Sequence, residues 1–344
     1  MSDAARHSRH TLFGPIGRKG QGAISQARVA IVGCGALGSR IAELLCRAGV
    51  GTAGAGLLRL IDRDYVELSN LQRQTLFTEE DATHSRPKAT AAARHLLEID
   101  SSLKCESLVR DLNKLNAARL LDAVDLIIDG TDNFHTRFLI NDVAVHLRKP
   151  WIYGAAVGSR GLVAFVSAGY TPCLRCYVSE VPALGSVESC DTTGIITPLP
   201  SVVAGLQVAA ALRWIVDGTF SRGVLSVDLW TEDQPFRRMF ADWSPDANCP
   251  SCATGQLPSL SEEGQDVVTL CGRNSVQINA THGVDIAAAA RRIRGFSAVE
   301  ENGESMTATI DEGRLTLFSD GRVIVEGTTN ALEAKAIVAR YLGG

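Results

Sequence analysis

The sequence predicts an α/β chain: a doubly wound, mixed sheet followed by a small α+β unit. Three observations predict it. Short β-branched runs that stop at Gly or Asp alternate with helical segments as far as about residue 160. A strand-rich stretch then extends the same sheet. Beyond residue 265 the pattern changes to short alternating strands with turn signals, flanked by helices.

The elements follow in order. Residues 1–26 are polar with four glycines and are expected to form an irregular arm or short helix. ARVAIV (27–32) reads as a buried strand. GCGALGSRIAELLCRAGV follows it, with Leu37, Ile41, Leu44 and Leu45 in helical spacing. LLRLI (57–61) is the second strand and ends at Asp62. KCESLV, DLIID (125–129) and WIYGA (151–155) are further strands, and helices are expected near 86–98, 113–121 and 134–147. GLVAFVSA, VLSVDLW and PFRRMF read as strands around a long helix at about 198–217. NCPSCATGQLPSLSEEGQ (248–265) has linker composition. TATIDEGRLTLFSDGRVIVEG carries EG and DG turns and predicts a meander, with helices at about 285–294 and 330–342. The expected domains are 1–252 and 266–344, with 253–265 between them. That division suits 344 residues at about 150 per domain.

Composition narrows the function. A content of 45% hydrophobic and 21% charged residues excludes a disordered tail protein. The net charge of −4 lacks the basic excess that nucleic acid or a membrane surface would call for. The longest apolar run, Ser201 to Val216, is interrupted by Gln207 and Arg213 and is shorter than the roughly 20 residues of a span. The N-terminus has charge without an apolar core, so no secretory signal is read and a cytoplasmic location is expected. The nine cysteines are therefore expected to serve metal binding or catalysis rather than disulfides.

Gly33-Cys34-Gly35-Ala36-Leu37-Gly38 is a G-x-G-x-x-G between a strand and a helix. Gly33, Gly35 and Gly38 permit a tight turn and close approach of phosphates to a helix N-terminus. The bland alternative is a close-packed turn with no ligand. Asp62 ends the next strand, where a carboxylate can bind ribose hydroxyls; NAD and ATP fit equally at this point. The stretch from Asp62 to Gln74 favours a triphosphate, because Asp64, Ser69, Asn70 and Arg73 form a dense polar set. Arg73 can neutralise phosphate charge and Asn70 can hydrogen-bond without adding charge. Lys88 falls in the first turn of a helix, where the dipole does not favour it, so it suits a phosphate; a solvated lysine is the default. Asp129-Gly130-Thr131-Asp132-Asn133 follows a strand at the expected ligand edge. There Asp132 can hold Mg²⁺ or simply cap the helix that begins near Phe134.

Taken together, DRDYVELSNLQRQTLF, RPKA, DGTDN and the glycine loop resemble the ThiF/MoeB/HesA family of the ubiquitin-activating-enzyme superfamily over about residues 5–252. The resemblance implies a Rossmann-like fold with a zinc knuckle, a homodimer, and MgATP-dependent adenylation of the C-terminal glycine of a ubiquitin-like sulfur carrier ending in Gly-Gly. It puts Gly33, Gly35, Gly38, Asp62 and Asp64 around the nucleotide. Ser69, Asn70, Arg73, Lys88, Asp132 and Asn133 then lie at the phosphates and metal. Arg6-His7-Ser8-Arg9-His10 is similar to the family's Arg-Tyr-x-Arg-Gln opening, whose second arginine, here Arg9, reaches the partner subunit's ATP. His7 and His10 depart from that pattern.

Cys173-Leu174-Arg175-Cys176 and Cys249-Pro250-Ser251-Cys252 offer four thiolates, a closed tetrahedral set for structural Zn²⁺. A redox pair or unpaired buried thiols are the alternatives. Cys190, in GSVESCDTTGIITPLP, resembles the cysteine of the family's C-x-x-x-G, which links covalently to the carrier in ThiF-like members; an inert thiol is the plain reading. The C-terminal unit resembles a domain appended to some bacterial ThiF-type enzymes. This tilts the pathway toward thiamine over molybdopterin and implies a cysteine desulfurase or other sulfur donor. Two other classes compete: an NAD-dependent oxidoreductase, which leaves the Asn70, Arg73, Lys88 and Asp132 set unexplained, and a non-catalytic scaffold of the same fold.

Overall fold

The computed structural model describes residues 3–182, 193–240, 242–261, 267–270, 275–278, 284–295, 297–301, 305–319 and 321–342. The chain divides into two units, Met1–Glu262 and Glu263–Gly344.

In the first unit, eight strands form one sheet. They are β1 (Arg28–Val32), β2 (Leu57–Asp62), β3 (Cys105–Val109), β4 (Leu126–Asp129), β5 (Trp151–Val157), β6 (Arg160–Val166), β7 (Val224–Asp228) and β8 (Phe236–Met239). Their order is β3-β2-β1-β4-β5-β6-β7-β8. The first five are parallel and the last three add antiparallel. β1 is covered on both faces, Val29 and Ile31 facing one core and Ala30 and Val32 the other. That two-sided burial is why it reads as an unbroken apolar run. The chain leaves β1 toward β2 and later returns to its other side as β4. The crevice beyond the ends of β2, β1 and β4 is therefore the switch point where such sheets bind ligands.

The helices are α1 (Asp3–Arg6), α2 (Ser8–Leu12), α3 (Gly17–Gln26), α4 (Ala36–Ala48), α5 (Glu79–Thr83), α6 (Lys88–Ile99), α7 (Ala117–Asp122), α8 (Phe134–Leu147), α9 (Leu174–Tyr177), α10 (Pro198–Asp217) and α11 (Pro258–Ser261). The expected N-terminal arm is three helices. His7 lies against Gly49, and His10 contacts Gln21 at 3.2 Å while Gln21 donates to the Ala48 carbonyl. The two histidines thus dock α2 on the end of α4. By length and composition α10 is apolar enough to cross a membrane, because the helix extends beyond the run read from sequence on both sides. In this fold it packs on α3, α4, β5 and β6. Its Gln207 donates to the Asp129 carbonyl at 2.8 Å and so steadies the end of β4. The stretch with linker composition is partly structured, since α11 packs on α8.

In the second unit, β9 (Val267–Leu270), β10 (Ser275–Ile278), β11 (Val299–Glu301), β12 (Ser305–Ile310), β13 (Gly313–Phe318) and β14 (Val323–Glu326) form an antiparallel sheet. Its order is β11-β12-β13-β14-β10-β9. α12 (Ile286–Ile293) and α13 (Ala331–Leu342) share its core through Ile286, Ala290, Ile293, Ala334 and Ile337.

Candidate nucleotide site and four-cysteine cluster

The glycine loop joins β1 to α4. A Cβ on Gly38 would stand 1.7 Å from the Gly33 carbonyl oxygen, and one on Gly33 would meet Gly130 at 2.8 Å. Gly33 also has φ +86°. These two glycines are demanded by the chain's own packing, with Gly130 closing the contact from the end of β4. Gly35 differs: among the described residues a Cβ there meets only Gln74 Nε2, at 3.9 Å. The protein itself has little steric need for glycine at that position, so the space above it suits a ligand that approaches the backbone.

Asp62 ties the loop to β2. Its Oδ2 accepts the Cys34 N–H at 2.5 Å and its Oδ1 the Asp64 N–H at 2.6 Å. Burial pushes the Asp62 carboxyl above its usual range and Asp64 adds to this, while Lys88 opposes it. A carboxylate has about four acceptor sites, so lone pairs remain for ribose hydroxyls. Lys88 is not a solvated lysine. Its side chain is only 6% exposed and its ammonium lies 3.4 Å from Asp64. Its N–H donates to the Asp64 carbonyl, and the Val66 N–H to the Arg86 carbonyl, which fastens the start of α6 beside the end of β2. The buried Asp81 holds the preceding turn through Arg86, Arg94 and His95, at 3.0, 2.8 and 2.7 Å.

Arg63 escaped the sequence reading. Its Nη1 lies 3.0 Å from Asp111. Burial opposes its charge, but Asp111, Asp64, Asp132 and Asp62 outweigh that and hold its pKa above the ordinary arginine value. It is a cation placed among carboxylates from the ends of β2, β3 and β4.

The turn Leu68–Asn70 is closed by Asn70, whose Oδ1 accepts the Glu67 N–H at 3.1 Å. Ser69 donates to Glu67 at 3.3 Å, and Arg73 donates to the Ser69 carbonyl at 2.9 Å. Arg73 thus folds back on its own turn. In the β4 loop, Asn133 caps α8 by accepting the Thr136 N–H at 2.8 Å. Asp132 is therefore not the cap. It is exposed, accepts no hydrogen bond among the described residues, and lies in the field of Arg63 and Arg137. Such a carboxylate suits a hard divalent cation. The loop is held from behind by Asp129, which accepts from Thr131 and Arg137. Arg9 is exposed and makes no contact with this set among the described residues. Cys190 lies outside the described residues.

The second cluster forms where the two C-x-x-C pairs meet. The sulfurs of Cys173, Cys176, Cys249 and Cys252 all lie within 4.8 Å of one another. Cys173–Cys249 and Cys176–Cys252 are each 3.5 Å apart and Cys173–Cys176 3.9 Å. Thiolates 2.3 Å from one tetrahedral zinc would be about 3.8 Å apart, so the set fits that metal. Asn141 Nδ2 donates to Cys173 Sγ at 3.7 Å, and the Asp246 N–H to Cys176 Sγ at 3.5 Å. Donors of this kind support thiolate charge.

Comparison with known proteins locates this arrangement. The model of the ThiF family matches residues 7–251. A Bacillus subtilis protein called sulfur carrier protein ThiS adenylyltransferase is 42% identical over 98% of this chain and 99% of its own. A Thermus thermophilus protein called sulfur carrier protein adenylyltransferase is 34% identical over 78% of this chain and 96% of its own. The solved structure of E. coli MccB with ATP superposes with a TM-score of 0.61 at 21% identity. It covers 72% of this chain and 74% of that one, and it shows the shared fold.

Proposed function

The chain belongs to the ThiF family, and from that premise we infer that it is an ATP-dependent adenylyltransferase. Its substrate is the C-terminal glycine of a ubiquitin-like sulfur-carrier protein. The observation that carries this reading is the likeness to a ThiS adenylyltransferase over nearly the whole of both chains, the C-terminal unit included.

The site residues suit the chemistry. The carrier's terminal carboxylate attacks the α-phosphorus of ATP, pyrophosphate leaves, and the glycine becomes an acyl-adenylate. Nucleophile and electrophile are both anionic, so positioned cations and backbone N–H groups do most of the work. In this reading the glycine loop and the first turn of α4 receive phosphate, Asp62 holds the ribose, and Lys88 and Arg73 neutralise phosphate oxygens. Arg73 first releases the Ser69 carbonyl. Asn70 and Ser69 shape that turn, and Asp64 holds Lys88 in place. Asp132, with Asn133 fixing its loop, would hold Mg²⁺, which supplies charge neutralisation at the phosphates when bound. Zn²⁺ on Cys173, Cys176, Cys249 and Cys252 would hold the end of the first unit to α8.

The finer reading has further parts. The full-length likeness supports a place in thiamine biosynthesis ahead of molybdopterin. A homodimer would bring Arg9 to the partner subunit's nucleotide. The incomplete covering of α10, where Val202 and Leu206 are half-buried and Ala209 exposed, suits a second copy. Cys190 would take over after adenylation: its thiolate attacks the acyl-adenylate, AMP leaves, and the carrier is held as a thioester until the persulfide of a cysteine desulfurase or similar protein displaces the Cys190 thiol. A cytoplasmic location follows from that pathway.

Incubating the chain with a ubiquitin-like carrier and MgATP, then trapping the product with hydroxylamine, tests the reading. A carrier hydroxamate at the terminal glycine is expected, and none is expected when the last glycine is removed. Hydroxamate at a side-chain carboxylate, or none with any carrier, would overturn it.

A further inference from the structure

Gln74 follows Arg73 just past the Leu68–Asn70 turn, and its N–H is anchored to the Asn70 carbonyl at 3.0 Å. Its side chain is almost wholly enclosed, the residue being 4% exposed. Two facts about its carboxamide stand out. The Oε1 is buried with no hydrogen-bond partner among the described residues. The Nε2 points at Gly35, and among the described residues, Gly35's own chain neighbours aside, it is the one atom within 4 Å of where a Cβ on that residue would stand. A buried carboxamide is normally satisfied on both sides, because an unpaired acceptor forfeits its hydration without return. Here the chain has aimed such a group at the one glycine of the loop that its own packing leaves open.

The neighbours say what would complete it. Cys34, the residue before Gly35, gives its N–H to Asp62, the ribose carboxylate of the proposed site. On the other side, Gly35 caps a 13-residue helix whose first-turn N–H groups have no intrahelical acceptor and favour anions. The carboxamide therefore sits at the junction of a sugar subsite and a phosphate subsite. A carboxamide offers one donor nitrogen and one acceptor oxygen, and a nucleotide presents phosphate oxygens and ribose hydroxyls close together.

We propose that Gln74 is a nucleotide-binding residue whose carboxamide bridges the two ends of the ATP junction. Nε2 donates to an α-phosphate oxygen above Gly35, and Oε1 accepts from a ribose hydroxyl. This rests on the adenylation reading and adds a contact at the bond where α-phosphorus is attacked. It also gives a role to an acceptor that the described residues leave without a donor.

The test uses the full chain with Gln74→Met, which keeps the volume and removes both polar atoms, and Gln74→Glu, which puts negative charge beside the phosphate. In Gln74→Met the melting temperature without nucleotide stays the same or rises, the thermal shift given by ATP shrinks, and the KM for ATP rises about tenfold. Gln74→Glu raises that KM further than Gln74→Met does. A residue needed only for packing gives the opposite pattern, a lower melting temperature without nucleotide and an unchanged KM, and that result overturns the proposal. Should Gln74→Met fail to fold, Gln74→Asn withdraws the amide by one methylene and is expected to raise the KM by a similar factor. Unchanged KM in the folded variants also overturns it. Absence of ATP–pyrophosphate exchange in the wild type speaks against adenylation instead, and the ATP thermal shift still reads Gln74 in that case.

Discussion

Arg175 and Ser251 meet on one carboxylate. Each is the third residue of its C-x-x-C, and each binds Asp142 of α8: Arg175 through two nitrogens at 3.1 and 3.2 Å, Ser251 through its hydroxyl at 2.5 Å. The Ser259 N–H joins them at 2.8 Å. Neighbouring Asn141 accepts the Leu174 N–H at 2.8 Å. Two adjacent residues of one helix thus set the orientation of both cysteine pairs.

Asp142→Asn is expected to leave the Arg175 cation buried and poorly paired, at a cost of about 3–5 kcal/mol. Zinc retention against a chelator should weaken by about 10–100-fold, the scale for losing a partner behind the ligands. Metal content after graded chelation, read beside the melting temperature, checks this. Unchanged zinc retention would show that the cysteines orient themselves.

The three glycines of the loop should separate. Gly38→Ala forces a Cβ onto the Gly33 carbonyl and is expected to unfold or strongly destabilise the first unit. Gly35→Ala is expected to fold normally and to raise the KM for ATP by about tenfold or more, since the methyl group occupies ligand space. Thermal melts and nucleotide titrations of the two variants decide it. Equal destabilisation by both would mean that Gly35 serves packing alone.

Much of this was legible because it is periodic or closely spaced. β1, β2 and β4 are uniformly apolar runs, and G-x-G-x-x-G, D-G-T-D-N and the two C-x-x-C pairs are local patterns. What the sequence hid depends on pairings across the fold. Asp142 and Asn141 look like ordinary polar residues of α8 until the cysteine pairs are brought to them. Gln74 lay inside a stretch already marked as polar, and its orphaned oxygen is a fact of burial. Arg63 owes its importance to Asp111 and Asp132, 48 and 69 positions away. The sequence suggests an irregular arm or one short helix at the N-terminus and not three helices, because glycines and polar residues mask short segments held by tertiary contacts, such as that of His10 with Gln21.

Asp81 should govern part of the acid sensitivity. Burial raises its pKa, but His95, Arg86 and the Thr78 N–H and hydroxyl outweigh this, and the carboxyl lies well below its ordinary value. Its contribution is therefore complete above the unfolded carboxylate pKa of about 3.9 and is lost as pH falls below that. Asp81→Asn is expected to cost about 3 kcal/mol at neutral pH, the low end for a buried ion pair because Arg94 stays partly hydrated. It should also flatten the fall in melting temperature between about pH 5 and pH 2. A parallel acid limb in mutant and wild type would remove Asp81 from this role.

The cations should affect rate and not fold. Lys88→Ala and Arg73→Ala are each expected to lower adenylation by about 10²-fold or more. Asp132→Ala should in addition raise the Mg²⁺ concentration needed for half-maximal rate. Wild-type rates in the Lys88 or Arg73 variant would mean the phosphates bind elsewhere.

Cys190 is proposed to act in the step after adenylation, where a thiol can attack the acyl-adenylate with loss of AMP. Cys190→Ala should leave formation of the adenylate nearly intact while reducing sulfur loading of the carrier. Loss of adenylation in a folded variant would place this cysteine in the first step instead.

ATP–pyrophosphate exchange puts the adenylation assignment at greatest risk. With MgATP and a ubiquitin-like sulfur carrier ending in Gly-Gly, the chain should move label from pyrophosphate into ATP. The exchange should vanish when the carrier is omitted or its last glycine deleted. Label exchange that proceeds equally without a carrier, or none with carriers from either the thiamine or the molybdopterin pathway, would contradict the account.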